Sequence, residues 1–172
     1  MTISNVILIC TTVCVGLMAG LFFSFSYSVV LGLGRLSNAD YISAMQHINR
    51  AIQNPVFFII FLGSLILVPL CAYKHFSYPV STNFWLLLAA SILYLIGAFG
   101  TTVFGNIPLN NSLDKFDLTN SSLEAINLQR TNFEAKWNNL NIIRTVSSVL
   151  SFILFIVVCI YSSYNSSLPK NL

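Results

Sequence analysis

Residues 55–73 read PVFFIIFLGSLILVPLCAY, an apolar run that contains no charged side chain. A helix that crosses a bilayer needs about 20 mostly apolar residues, and this run is close to that length. Similar runs cover residues 6–33, 84–104 and 142–164. Because backbone amides in lipid must be bonded within their own segment, each run is predicted to be a helix. We therefore expect an all-α protein, a bundle of four transmembrane helices.

Charged residues make up only 8% of the chain, whereas hydrophobic residues make up 56%. An average soluble domain has about 25% charged residues, so a water-soluble globule of this composition could not cover its surface. We expect residues 1–172 to form a single membrane domain, since the spans and their loops use the whole length. No nucleotide loop, His-rich set or Ser-His-Asp arrangement is present, which argues against kinase, protease and pump functions. We predict no metal and no nucleic-acid partner.

Four spans place both ends of the chain on one side of the membrane, with segments 34–54 and 105–143 on the other. The two loop segments carry most of the Lys and Arg residues, whereas the terminal side has Lys74, Lys170 and the amino terminus. Lys and Arg favour the cytoplasmic side. We expect a cell (inner) membrane location with both loop segments cytoplasmic.

Small residues recur at every fourth position of the first span, at Gly16, Gly20, Ser24 and Ser28. Such a stripe lets another helix approach the backbone closely. The neighbouring helix belongs either to the same chain, which is the simpler assumption, or to a second copy. In the second case the stripe is the interface of a homodimer.

The cysteines at positions 10, 14, 71 and 159 are all predicted to lie toward the terminal side. In lipid a cysteine behaves as a small apolar side chain, and no pair has the CxxC spacing of a zinc or redox motif. We interpret them as packing residues. A disulfide hypothesis would first test Cys71 with Cys159.

The first loop segment is predicted to contain an interfacial helix over residues 39–53, capped by Ser37 or Asn38. On a helical wheel, apolar and polar residues fall on opposite sides. The apolar side carries Tyr41, Met45, Ile48 and Ile52, and the polar side carries Asp40, Ser43, His47, Arg50 and Asn54. The helix either has a solvated polar face or is a lid whose polar face closes a cavity. Asn49 lies beside Met45 on the apolar side, where a buried amide needs a partner.

The third span leads into GNIPLNN at residues 105–111, where glycine and proline are expected to end the helix. Asn106 and Asn110 either bind a ligand or cap exposed backbone groups, and capping is the favoured alternative. A second interfacial helix is predicted over residues 121–141, starting from a capping box at 121–124 and continuing into the fourth span.

Trp137, Asn141, Arg144 and Ser148 share one face of this last helix. Arg144 enters the first turns of the bilayer, where an arginine is costly unless it snorkels to the interface or is paired. Because polar residues that face inward in a membrane protein commonly mark a site, Arg144 is a candidate functional residue.

Four strings of the sequence together resemble one known family. They are GLFFSFS at 20–26, AMQHINRAIQNP at 44–55, NIPLN at 106–110 and WNNLNIIR at 137–144. In their order and spacing, with one string in or beside each span, they resemble the anthrone oxygenase-like family of small four-helix integral membrane proteins. The match covers nearly the whole chain, and most members of that family have no assigned function.

The resemblance implies an oxidation chemistry, because a few fungal members convert anthrones to anthraquinones with O₂ and no organic cofactor. A base removes the acidic benzylic proton of an anthrone, and the carbanion reacts with oxygen. For that proton, His47 is the candidate base because of its imidazole, and by resemblance Arg144 is the second catalytic candidate. Residues implied to bind the substrate oxygen are Asn49, Arg50, Asn54, Asn106, Asn110, Trp137 and Asn141.

Two functions follow from these residues. The first is a cofactor-independent membrane oxygenase or oxidoreductase that acts on an apolar aromatic or quinone-like molecule. The alternative is a non-catalytic membrane binding or interaction protein in which the same polar residues are structural. A cavity surrounded by Asn49, Asn106, Asn141 and Arg144 would favour the first, whereas pairing with backbone alone would exclude it.

Overall fold

A computed structural model describes the backbone of residues 2–167 and the side chains of residues 2–163, so Lys170 lies outside the described residues. Within this range the regular secondary structure is helical throughout. The helices are α1 (Ile3–Leu33), α2 (Asn38–Ala51), α3 (Pro55–Lys74), α4 (Thr82–Asp114) and α5 (Leu123–Ser167). Of these, α1, α3, α4 and α5 are long and apolar enough to cross a membrane. The predicted all-α class with four long apolar helices is confirmed.

The long helix α5 packs against both α1 and α4, and α3 packs against the same two helices. Large apolar side chains fill the space between them. Among the most buried are Val15, Met18, Val68, Leu87, Tyr94, Phe155 and Val158. Buried hydroxyls also bond across helices, as when Ser151 Oγ donates to the carbonyl of Ala90 at 2.8 Å. These contacts account for the polar residues that lie deep in the core.

Small residues bring α5 close to two neighbouring helices. A Cβ placed on Gly97 of α4 would lie 2.1 Å from Oγ of Ser147, and one on Gly16 would lie 2.7 Å from Cε2 of Phe152. Gly16 therefore packs within the chain. The rest of its stripe, Gly20, Ser24 and Ser28, is exposed on α1. A homodimer through these positions stays a prediction.

The expected end of the third span at Gly105 and Pro108 is wrong, because α4 continues to Asp114. Two π-helical stretches, Leu93–Gly100 and Thr102–Asn106, precede the proline. Proline normally interrupts an α-helix because it lacks an N–H and clashes with the carbonyl four residues back. The wider π-helical turns shift the carbonyl register just before Pro108, which lets the chain continue as a helix. The asparagines after it therefore lie on a helix, not a turn.

The helix α2 covers the loop-side end of the long helices. Ser37 caps it by accepting the N–H of Asp40 at 3.2 Å. Its buried residues Tyr41, Ile42 and Met45 belong to a second apolar cluster with residues of α4 and α5. Its apolar face thus packs on protein, and its position at a membrane surface stays a prediction.

The four thiols are free in the structure. Cys71 is buried, and Sγ of Cys159 lies 3.5 Å from Oγ1 of Thr12. Among the described residues, no group of three His, Cys, Asp or Glu side chains could hold a metal ion.

Candidate functional site

A cavity of about 180 Å³ lies at the loop-side end of the bundle, bordered by all four long helices and by α2. Its aromatic walls are Phe22, Phe25, Phe57, Phe58, Phe61 and Trp137. Its polar lining is Asn49, Gln53, Thr102, Asn110, Asn111 and Arg144. Since an apolar cavity of about 150 Å³ is large enough to bind benzene, this one has room for an aromatic ring.

Arg144 lies on α5 with its guanidinium turned into the protein. The residue is 7% exposed, so it neither snorkels nor reaches the surface. Its Cζ lies 4.5 Å from the ring centroid of Phe22 and 5.1 Å from that of Trp137. Cation–π contacts of this kind orient a planar guanidinium between the rings. Arg144 is at the same time one of the residues that line the cavity.

No carboxylate neutralises this cation among the described residues. The ion pairs there are Arg50 with Asp114 and Arg130 with Glu134. Nε of Arg144 also has no hydrogen-bond partner. Because a buried charge is costly unless it is paired or hydrogen-bonded, the cavity holds a cation that is suited to an acceptor ligand.

Asn141 positions this arginine. Its Oδ1 accepts a hydrogen bond from Arg144 Nη2 at 2.6 Å, and its Nδ2 donates to Oγ of Ser26 at 2.7 Å. Ser26 Oγ in turn lies 2.8 Å from Oγ1 of Thr145. The amide is satisfied on both sides and lies behind the cavity wall. Asn141 therefore orients Arg144 from behind.

Asn106 and Asn110 fix Trp137. The indole Nε1 donates to Oδ1 of Asn110 at 2.8 Å, while Nδ2 of Asn106 donates to the backbone carbonyl of Trp137 at 3.4 Å. Asn106 is fully buried and makes no side-chain cap on its helix. The Asn106 side chain thus bonds a backbone carbonyl, that of the buried Trp137, and makes no cap on its own helix. The two amides hold an aromatic wall of the cavity.

Asn49 reaches the cavity from α2. It is 7% exposed, and its Nδ2 has no hydrogen-bond partner. Ile48 and Ile52 line the cavity beside it. The face that α2 turns to the cavity is therefore its apolar side with one amide. Of the two alternatives for this helix, the one in which its polar face closes a cavity is wrong.

A family model described as anthrone oxygenase matches residues 57–154. The chain belongs to this anthrone oxygenase family. The matched range includes the third, fourth and fifth helices in large part, with the cavity residues Asn110, Trp137 and Arg144. Neither the curated proteins nor the solved structures include a significant match to the chain.

In this member of the anthrone oxygenase family, three of the candidate residues lie outside the cavity lining. His47 is exposed on the outer side of α2. Nε of Arg50 contacts Oδ1 of Asp114 at 2.6 Å on the surface. Asn54 caps α3, with Oδ1 accepting the N–H of Phe57 at 3.1 Å. The structure thus brings Asn49, Asn106, Asn110, Trp137, Asn141 and Arg144 into or beside one site and leaves these three outside it.

Several residues of the site were missed in the sequence. Phe22 holds the guanidinium of Arg144, and Phe57, Phe61, Gln53 and Thr102 line the cavity. A phenylalanine in an apolar span has the same sequence signal whether it faces lipid, core or ligand. The GLFFSFS string contributes to the family resemblance, but its pattern does not show which ring faces Arg144.

Proposed function

We propose that this protein is a cofactor-independent membrane oxygenase that acts on an apolar aromatic or quinone-like molecule, with Arg144 binding the oxygen of that molecule. One observation carries the proposal: a buried guanidinium without a carboxylate partner borders a cavity walled by aromatic rings. The rings suit a flat apolar body, and the cation suits a carbonyl or enolate oxygen. Family membership supports the same chemistry.

For an anthrone, the reaction balances with O₂ alone. The benzylic carbon loses two hydrogens and gains a doubly bonded oxygen, so the substrate gives up four electrons. One oxygen atom of O₂ enters the new carbonyl, and the other leaves as water with the two hydrogens. The difficult step is loss of the first proton, which places negative charge on the existing carbonyl oxygen. A preorganised cation at that oxygen stabilises the resulting enolate.

Arg144 is the one ionisable side chain among the described residues that line the cavity. Under this proposal the benzylic proton therefore passes to water at the cavity mouth, since a guanidinium remains protonated and is a poor base. The protein contributes by stabilising the enolate and by holding the ring. His47, exposed on the outer side of α2, takes no part in this arrangement.

The proposal includes a cell (inner) membrane location with segments 34–54 and 105–143 in the cytoplasm. It is supported by the Lys and Arg residues of those segments. A cysteine placed at the exposed Lys115 tests it, in a variant whose own cysteines are serine. We expect an impermeant maleimide to label this cysteine only after the membrane is opened. Labelling in intact cells would reverse the orientation.

The activity is tested on the full chain purified in mild detergent, with anthrone as the probe. We expect anthraquinone by mass spectrometry and one O₂ consumed per anthrone. Arg144→Gln should lower the rate about 10²-fold or more, the loss typical of an oxyanion donor. Arg35→Gln, which changes an exposed arginine, is the matched control.

Two results would change this conclusion. Saturable binding of anthrone without product would favour the alternative, a non-catalytic binding protein. Equal rates for the Arg144 and Arg35 variants would remove Arg144 from the mechanism. Mass spectrometry of small molecules that remain bound after purification adds an independent readout for the same variants.

A further inference from the structure

Some buried polar atoms in the described part of the chain have no hydrogen-bond partner. They are Oη of Tyr41, Nδ2 of Asn49, Oδ1 of Asn106, Oδ1 of Asn138 and Nε of Arg144. Of these five residues, Asn49 and Arg144 also line the cavity. Both unpaired atoms are N–H donors, and they belong to different helices, α2 and α5. An unpaired buried donor lowers stability, and an acceptor atom supplied by a ligand would remove that cost for each of these two.

Nδ2 of Asn49 has no partner, and a loosely held α2 is not the reason. Nε2 of Gln46 donates to the carbonyl of Leu113 at 2.8 Å, one turn before Asn49. At the start of the helix, Nη1 of Arg130 donates to Oδ1 of Asn38 at 3.0 Å. These bonds tie α2 to α4 and α5. The amide is therefore held at the cavity wall by a fixed helix.

We propose that Asn49 is a second ligand-binding donor, and that the ligand is a flat ring system with two acceptor oxygens, one bound by Arg144 and the other by Asn49. The inference rests on the proposed function, because Arg144 must bind the first oxygen. It adds a selectivity that Arg144 alone does not provide. A ring with one carbonyl leaves Asn49 unpaired, whereas a ring with two carbonyls satisfies both donors.

The same geometry predicts how Asn49→Leu affects folding. Leucine has a similar size, and the neighbouring wall residues Ile48 and Ile52 are apolar. Replacing an unpaired buried amide with an apolar group of similar shape is neutral or stabilising. A structural role for Asn49 predicts the opposite. The unfolding temperature of the variant therefore distinguishes a ligand-binding amide from a structural one.

The fluorescence of Trp137 reports on binding. The chain has two tryptophans, and Trp85 is exposed and outside the cavity lining. In a Trp85→Phe background, Trp137 is thus the one remaining tryptophan. The probes are duroquinone with two carbonyls, α-tetralone with one and durene with none. The methyl groups of duroquinone block addition by the free thiols.

Quenching titrations of the full chain in detergent compare Asn49→Leu with Arg144→Leu and with Ser43→Leu, a control on the polar side of α2. We expect Asn49→Leu to weaken duroquinone binding about tenfold, the effect of one hydrogen bond, and to leave α-tetralone unchanged. Arg144→Leu should weaken both ketones, whereas no variant should affect durene. Ser43→Leu should affect none of the probes.

The outcomes separate this inference from the proposed function. If Arg144→Leu weakens both ketones while Asn49→Leu weakens neither, or both equally, the two-oxygen proposal is overturned and the role of Arg144 stands. If the ketones bind no better than durene and Arg144→Leu changes nothing, both proposals fail. A clearly lower unfolding temperature for Asn49→Leu would also overturn the ligand-binding role of Asn49.

Discussion

Arg144 Nη2 donates a hydrogen bond to Oδ1 of Asn141 over 2.6 Å. The buried cation is thus oriented by a neutral amide. A carboxylate in the same place would orient the guanidinium equally well but would also neutralise it. Asn141 is itself held by Ser26 at 2.7 Å, which fixes the direction of the amide. The pair keeps the charge in position and leaves it available to a ligand.

Asn141→Asp should therefore lower the rate of anthrone oxidation without unfolding the protein. The new carboxylate has nearly the same shape as the amide, and the Ser26 hydroxyl can rotate to donate to it. The carboxylate loses the hydrogen bond that Nδ2 donates to the carbonyl of Phe22, but the new ion pair with Arg144 offsets this loss. We expect anthrone oxidation to fall at least about tenfold, because the charge no longer stabilises the enolate. Oxygen uptake measures the rate, and the unfolding temperature should not fall.

Asn139→Asp is the control for that experiment, since it makes the same change at an exposed position on the same helix. A fully active Asn141→Asp protein would show that the free charge of Arg144 is not needed. Loss of activity together with a large drop in unfolding temperature would instead give Asn141 a purely structural role.

His47→Ala should retain most of the anthrone-oxidising activity, because His47 is exposed and outside the cavity. With water or hydroxide as proton acceptor, the rate should rise steadily with pH. The pH–rate profiles of the unchanged protein and of His47→Ala should both lack a step near neutral pH, which a histidine general base would produce. Initial rates across a pH series provide the measurement. A His47→Ala variant without activity would restore His47 as the candidate base.

Arg50→Gln removes a surface ion pair and should have little effect. The side chains of Arg50 and Asp114 are 54% and 45% exposed, so solvent screens their attraction. We expect the free energy of unfolding to fall by less than about 1 kcal/mol, with duroquinone affinity unchanged. Denaturant titration and the quenching assay measure the two quantities. A tenfold loss of affinity would instead place Arg50 in the ligand site.

Gly97→Ala tests the close contact between α4 and α5. The added Cβ would lie 2.4 Å from Cβ of Ser147, an atom that cannot move without the backbone. Overpacking of this kind costs about 1–3 kcal/mol, which should appear as a lower unfolding temperature. Gly63→Ala is the control, because nothing lies within 4 Å of its Cβ. Adding Ser147→Gly to Gly97→Ala should restore stability. If the double variant is as unstable as Gly97→Ala, the contact with Ser147 is not the cause of the destabilisation.

Much of the fold was predictable because its signals are local. The length of an apolar run predicts a membrane-spanning helix, and the four runs correspond to α1, α3, α4 and the later part of α5. The helical wheel correctly placed Asn49 on the apolar side of α2, where the structure buries it. Trp137, Asn141, Arg144 and Ser148 were expected on one face, and all four are buried.

Other features depended on contacts that sequence spacing does not encode. The π-helical turns before Pro108 keep α4 continuous, whereas glycine and proline alone predict a break. Polar residues of α2 looked equivalent on the wheel, but the packing leaves His47 exposed and pairs Arg50 with Asp114.

The long apolar helices and the residues that share each helical face could be predicted from the sequence, because they follow from periodicity and composition along the chain. Which residues from distant parts of the chain meet depends on how the helices pack. Phe22 and Arg144, far apart in the sequence, come together because α1 packs against α5. That contact, with α2 covering the end of the bundle, creates the cavity and leaves the cation without a carboxylate.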